Sequence, residues 1–119
     1  MKLVCLNVWG GKVFQPLMDF IKETAVTADI FCFQEVFDSP VKKILPGSGS
    51  MSNLYNQIRE AMPEFRGFFS ASENGYDINV DCSPVNKSIN LGLASFFKPP
   101  IMINKIESFF VHEIKNKSV

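Results

Sequence analysis

Apolar residues fall in short blocks along this chain, and the first two blocks end the same way. Lys2-Leu3-Val4-Cys5-Leu6 runs into Asn7 and then Val8-Trp9-Gly10-Gly11. Ile30-Phe31-Cys32-Phe33-Gln34 runs into Glu35 and then Val36-Phe37-Asp38. Blocks of this length bounded by Gly or Asp predict β-strands. Between them Val13, Phe14, Leu17, Phe20, Ile21 and Ala25 recur at helical spacing, with Asp19, Lys22 and Glu23 turned away. Residues 13–25 therefore read as an amphipathic helix with Pro16 in its first turn. Strand, helix and strand at this spacing make a β-α-β unit with parallel strands. Such a unit brings Asn7 and Glu35 to the same C-terminal sheet edge, where open α/β sheets bind ligands.

Beyond Asp38-Ser39-Pro40, Leu45-Pro46-Gly47-Ser48-Gly49-Ser50 predicts a flexible loop. Ser52 or Asn53 then caps a second helix, with Leu54, Ile58, Ala61 and Met62 as its stripe and Pro63 as its stop. Residues 66–70 read as a short strand, 71–87 as a long polar excursion, and 89–98 as a strand buried on both faces. After Pro99-Pro100, alternation over 103–112 predicts one more strand. The resulting order, β-α-β-α-β-β-β, implies an α/β fold: a mixed β-sheet with helices on one face. Neighbouring phenylalanines such as Phe68-Phe69 and Phe96-Phe97 must point to opposite sides of their strands, so the other face needs a covering layer as well.

A chain of 119 residues, 46% apolar, makes one domain at most. Twelve basic and twelve acidic residues cancel, which removes the electrostatic footprint of a general nucleic-acid binder. Arg59 and Arg66 are the only arginines, so bidentate phosphate clamps are scarce. Cys5, Cys32 and Cys82 lack metal-type spacing, and Cys5 and Cys32 read as buried strand thiols in a reducing compartment. No apolar run approaches the ~20 residues of a membrane span. A cytoplasmic location is the expectation.

Two residues stand out chemically. Glu35 follows directly on a buried strand, and a carboxylate leaving such a strand needs a cation or hydrogen bonds to compensate it. Its position suits Mg2+, with Mn2+ as a substitute, because such a cation takes few carboxylates, several waters and a substrate phosphate. The alternative is a strand-end Glu bonded to nearby backbone N–H groups. Asn7 shares the edge, and its amide can orient a metal-bound water or phosphate without adding charge; the alternative is a turn-forming Asn. Trp9, the only tryptophan, is expected to pack as a lid over the helix start. Gly10-Gly11 favours a tight turn over a phosphate nest. His112, the only histidine, has no serine close enough for a catalytic pair, and Glu73, Asp77 and Asp81 lack the spacing of a calcium loop.

In Leu6-Asn7-Val8-Trp9-Gly10, Phe33-Gln34-Glu35-Val36 and the Gly-Leu-Ala strand Leu91-Gly92-Leu93-Ala94-Ser95-Phe96-Phe97-Lys98, the chain resembles the endonuclease/exonuclease/phosphatase superfamily with its DNase I-like fold. The resemblance spans nearly the whole chain and the N-terminal half of the family's α/β sandwich domain. It implies Glu35 as the Mg2+ ligand and Asn7 as the residue positioning metal and phosphate. The implied substrates are phosphodiesters or phosphomonoesters in nucleic acid, phospholipid or inositol phosphate, attacked by a metal-assisted water. Asn7-Val8-Trp9-Gly10 is similar to the sphingomyelinase branch and to bacterial members.

The family's later Asp-x-Asn, its further metal-site Asp and its terminal Ser-Asp-His have no counterpart in these 119 residues, and His112 does not stand where that histidine would. No general base is present. The expectation is a partial domain, inactive alone, with self-association through an uncovered sheet face. The alternatives are a non-catalytic truncated or half-domain interaction module, and an unrelated nucleotide-binding α/β domain using Gly10-Gly11.

Overall fold

The computed structural model describes residues 1–73 and 89–109. Expectations that fell on 74–88 and 110–119, including those for Asp77, Asp81, Cys82 and His112, lie outside the described residues. The elements are β1 (Leu3–Asn7), α1 (Phe14–Thr24), β2 (Ile30–Asp38), α2 (Leu54–Ala61), β3 (Arg66–Glu73) and β4 (Asn90–Phe97), with a 3-10 turn at Trp9–Gly11. The four strands form one mixed sheet in the order β1-β2-β4-β3. β1 runs parallel to β2, while β4 lies antiparallel to both β2 and β3. The β-α-β unit read from the spacing is thus present, and it sets Asn7 beside Gln34 at the sheet edge.

Strand alternation separates two unlike faces. Phe31 and Phe33 of β2 and Ala94 and Phe96 of β4 point toward the helices and are fully buried against Ile21 of α1 and Leu54 and Ile58 of α2. The rings of Phe31 and Phe33 stack at 5.2 Å, and Phe96 meets Phe33 edge-on at 5.9 Å, both favourable aromatic geometries. Burying each such ring is worth roughly 1.5–3 kcal/mol, so this layer holds the sheet and helices together. Lys98 closes one end by donating from Nζ to the Ala25 carbonyl at 2.8 Å, just past α1.

The opposite face is more open than the sequence suggested. Leu3 and Leu93 are each more than half exposed, Cys5 is exposed and Cys32 is half-buried, so the expectation of two buried thiols is corrected. Among the described residues, the cover on this face lies over its β3–β4 half: residues 105–109 lie against Phe68, Ser70, Ser95 and Phe97, with Leu93 at the open margin and Ser70 and Ser108 joined through their hydroxyls. The strand expected over 103–112 does not form within its described part, 103–109. Strand pairing needs an unpaired sheet edge, and this segment crosses the face instead. The cap expected at Ser52 or Asn53 is also replaced. Asn53 occupies the N-cap position without a side-chain cap bond, and Ser52 donates its hydroxyl to the Val41 carbonyl at 2.5 Å.

Asp38, the last residue of β2, is half-buried, and this burial raises its carboxyl above the ordinary range, opposed by the nearby charge of Arg59. A raised folded-state value means that the folded protein holds this proton more tightly than the unfolded chain. Stability is therefore lost as pH climbs from the ordinary carboxylate value through the raised one. Asp38→Asn, which stays neutral, is expected to raise the melting temperature at pH 7 and to lose that advantage near pH 3. Melting curves of both proteins across this range check it, and a gain independent of pH would show that charge is not the cause.

Candidate functional site

The carboxyl end of β1 meets a β-bulge inside β2, which does not stop at Glu35 but runs on to Asp38. Pairing of β2 with β4 is regular through Phe33↔Ala94 and resumes at Val36↔Gly92, and the shift falls on Gln34 and Glu35. Glu35 sits in the left-handed region at φ 60. For a residue with a Cβ this conformation costs of order 1–3 kcal/mol, and it persists where the surroundings over-determine it. The bulge re-aims one side chain: Gln34 and Glu35 are both exposed, between the buried Phe33 and Val36. Glu35 is therefore a solvent-facing carboxylate at the sheet edge, not the buried one that its apolar strand suggested.

Asn7 meets it there. Asn7 Nδ2 donates to Glu35 Oε2 at 2.8 Å, and Asn7 Oδ1 accepts from the Trp9 backbone N–H at 2.9 Å. The second bond is an Asx turn, so the turn-forming alternative for Asn7 is realised together with the bond to Glu35. One amide thus fixes both the carboxylate and the turn that follows β1. Trp9 is itself left-handed at φ 52, and among the described residues Trp9 and Glu35 are the non-glycine positions with positive φ. Both line the same cleft.

That cleft has a volume of about 300 Å3 and is bordered by Trp9, Gly10, Lys12, Glu35, Phe37, Ser48, Ser50 and Leu91. Trp9 does not pack as a lid over the helix start. It is more than half exposed, and the Lys12 ammonium lies 4.6 Å from its ring centroid. Gly10 is needed for a close approach, because a Cβ there would come within 2.7 Å of Ser50 Oγ and 3.0 Å of Phe37, at a φ of +63. The Gly10 carbonyl accepts from the Met51 N–H at 2.9 Å, tying the turn to the loop before α2. The N–H groups of Gly11 and Lys12 donate to Val8 and Trp9 carbonyls, so this turn presents no open nest for phosphate. The nucleotide-binding alternative loses its anchor.

Residues 45–50 are less free than their Gly/Ser composition suggested: Leu45 N–H donates to the Ser50 carbonyl at 2.7 Å, and Gly49 N–H to the Leu45 carbonyl at 2.9 Å. Ser48, Ser50, Phe37 and Leu91 enter the cleft from separate parts of the chain, and sequence reasoning did not assign them to the site. The usable signal was Gly10, whose missing side chain required a neighbour pressed against it. Among the described residues no three His, Cys, Asp or Glu side chains gather to hold a metal, and no helix is long and apolar enough to cross a membrane.

No protein-family model and no curated protein sequence matches this chain. Among solved structures it is similar to an endonuclease/exonuclease/phosphatase family protein from Leptotrichia buccalis C-1013-b. The two share 18% sequence identity at a TM-score of 0.54, over 87% of this chain and 40% of that one. The α/β fold is therefore that of an endonuclease/exonuclease/phosphatase family protein, and the chain spans well under half of that structure's length.

Proposed function

We propose that this chain supplies the metal-binding edge of a Mg2+-dependent phosphoesterase, as the N-terminal part of a larger endonuclease/exonuclease/phosphatase domain. The Asn7–Glu35 hydrogen bond of 2.8 Å, from the end of β1 to the bulge of the parallel strand β2, carries the reading. The donor set fits a Mg2+ ion, or Mn2+ in its place, since such ions take one or two carboxylates with waters and substrate phosphate completing the shell. Glu35 would hold the cation, and the cation when bound polarises a phosphoester oxygen and stabilises the leaving oxygen. Asn7 acts through Glu35: its Nδ2 pins Oε2 and so fixes the plane of the carboxylate. Nucleic acid, phospholipid and inositol phosphate all remain within this chemistry.

Manganese titration followed by water-proton relaxation tests the proposal. Glu35→Gln is expected to abolish the specific site, and Asn7→Ala to weaken it about 10–100-fold, as loss of a carboxylate's supporting hydrogen bond does. Unchanged Mn2+ binding by Glu35→Gln, with the fold intact by circular dichroism, would remove Glu35 from the metal site.

Residues 1–119 by themselves are proposed to be inactive. Glu35 has no cluster of further acidic or histidine side chains around it among the described residues, and general acid–base groups contribute roughly 10²–10⁴ in rate. A diaryl phosphodiester assay with Mg2+ is expected to read background, and turnover that disappears in Glu35→Gln would overturn this. A second reading, a non-catalytic half-domain interaction module, draws on the exposed Leu3 and Leu93 of the open sheet face. It is distinguished by the absence of divalent-cation binding.

A further inference from the structure

Cys5 of β1 and Cys32 of β2 are partners in the parallel register, side by side across the strand pair. Both stand on the open side of the sheet, because Val4 and Leu6 on one strand and Phe31 and Phe33 on the other turn to the helices. Cys5 is exposed and Cys32 half-buried, and their thiols are hydrogen-bond neighbours. Ser95, the partner of Cys32 on β4, continues the row and bonds the same sulfur. Neighbouring strands lie about 4.8 Å apart, inside the ~4.4–6.8 Å between Cα atoms that a disulfide spans. The fold has therefore brought together two thiols that are far apart in the sequence.

β1 is an edge strand of five residues, bonded among the described residues to β2 alone, and Cys5 is its middle residue. A covalent link there would hold the strand at its centre. We propose that Cys5 and Cys32 form a redox-closable staple, a reversible dithiol–disulfide site whose co-reactant is glutathione disulfide. The exposed Cys5 sulfur attacks one sulfur of glutathione disulfide and expels the first glutathione thiolate. Cys32 then attacks Cys5 Sγ, which breaks the mixed disulfide and expels the second. Two electrons pass from the cysteine pair to glutathione disulfide, and the two thiol protons end on the two glutathione molecules released. The order follows from the surroundings. Burial first, and the neighbouring Cys5 second, hold the Cys32 thiol above its ordinary pKa, while the Ser95 hydroxyl opposes them. Joining Cys5 to glutathione removes the Cys5 charge, leaves the Ser95 bond in place and sets an electrophilic sulfur beside Cys32.

Cys82→Ser removes the third cysteine, so that the pair is tested by itself. This protein is equilibrated in glutathione buffers of graded ratio, native and in urea, at a concentration where light scattering reads one chain. It is then acid-quenched and mapped by mass spectrometry. The expected product is lighter by two hydrogens, with Cys5 linked to Cys32 and no lasting glutathione adduct. Half-closure should tolerate at least about tenfold more reducing buffer in the native protein than in urea, because a preformed pair exceeds the millimolar effective concentration that a flexible chain supplies. By linkage the closed protein is then stabler than the open one by about 1.4 kcal/mol or more, read as a higher melting temperature. Cys32→Ser should stop at the Cys5–glutathione adduct. An adduct that persists with Cys32 present, a link between two chains, no reaction, or closure no more favourable in the native protein than in urea would overturn the inference. None of these measurements involves a metal, so they succeed or fail independently of Mn2+ binding at Glu35.

Discussion

Gly92→Ala is expected to abolish the cooperative unfolding transition of this protein. Gly92 lies in β4 with β2 on one side and β3 on the other, pairing with Val36 and with Ala71. A Cβ at this position would stand 2.0 Å from the Ser70 carbonyl oxygen and 2.8 Å from Ala71 Cα. Both are backbone atoms, so no side-chain rotation relieves the overlap. β3 would have to leave β4, taking Phe69 away from the Tyr55 ring it meets at 5.5 Å and exposing Phe96, which is wholly buried. Losing one or two large side chains from a core costs about 3–5 kcal/mol each, against a net stability of ~5–15 kcal/mol for a domain. Leu93→Ala, one residue on but pointing to the open face, should leave the melt within a few degrees. Far-UV circular dichroism melts of the two variants decide the matter, and a Gly92→Ala protein with a parent-like transition would show that the strands can separate locally without loss.

The same glycine shows what the sequence could and could not convey. Periodicity located β1, α1, β2 and α2 to within a residue or two, because each buries one face and its apolar spacing records which. It also brought Asn7 and Glu35 to one edge, since a β-α-β connection leaves little freedom. The bulge at Glu35 left no local trace. It arises where β2 and β4 shift register around Gly92, a consequence of pairing between segments far apart in the chain. Without that bulge, alternation continues from a buried Phe33 and the carboxylate's direction comes out wrong. Lys12 and Ser50 were equally hidden: neither carries a motif, and the cleft exists because the loop before α2 folds onto Gly10. For 103–109, alternation of apolar and polar residues suggested a strand, but alternation registers only that one side of an extended segment is covered. It does not distinguish lying along a sheet edge from crossing a sheet face.

Purified residues 1–119 are expected to self-associate through the open face. Leu3, Cys5 and Leu93 line that face in water, with Leu3 at 57% and Leu93 at 54% exposure, and Ile106 and Phe109 at its covered margin are also exposed. Each large apolar side chain left wet forgoes roughly 1.5–3 kcal/mol. β1 adds a second incentive. As the edge strand of the order β1-β2-β4-β3, it offers five residues of backbone with one side unpaired among the described residues, next to the same apolar patch. Two copies meeting over this region would bury both the face and the edge. Multi-angle light scattering should therefore give a mass that rises with concentration, and the double variant Leu3→Glu, Leu93→Glu should return it to that of one chain. Neither side chain belongs to the helix-facing core, so the variant's melt reports whether the fold is kept. A parent protein that stays monomeric at high concentration with a cooperative melt would show that residues 105–109 and the polar groups between the strands suffice to close this face.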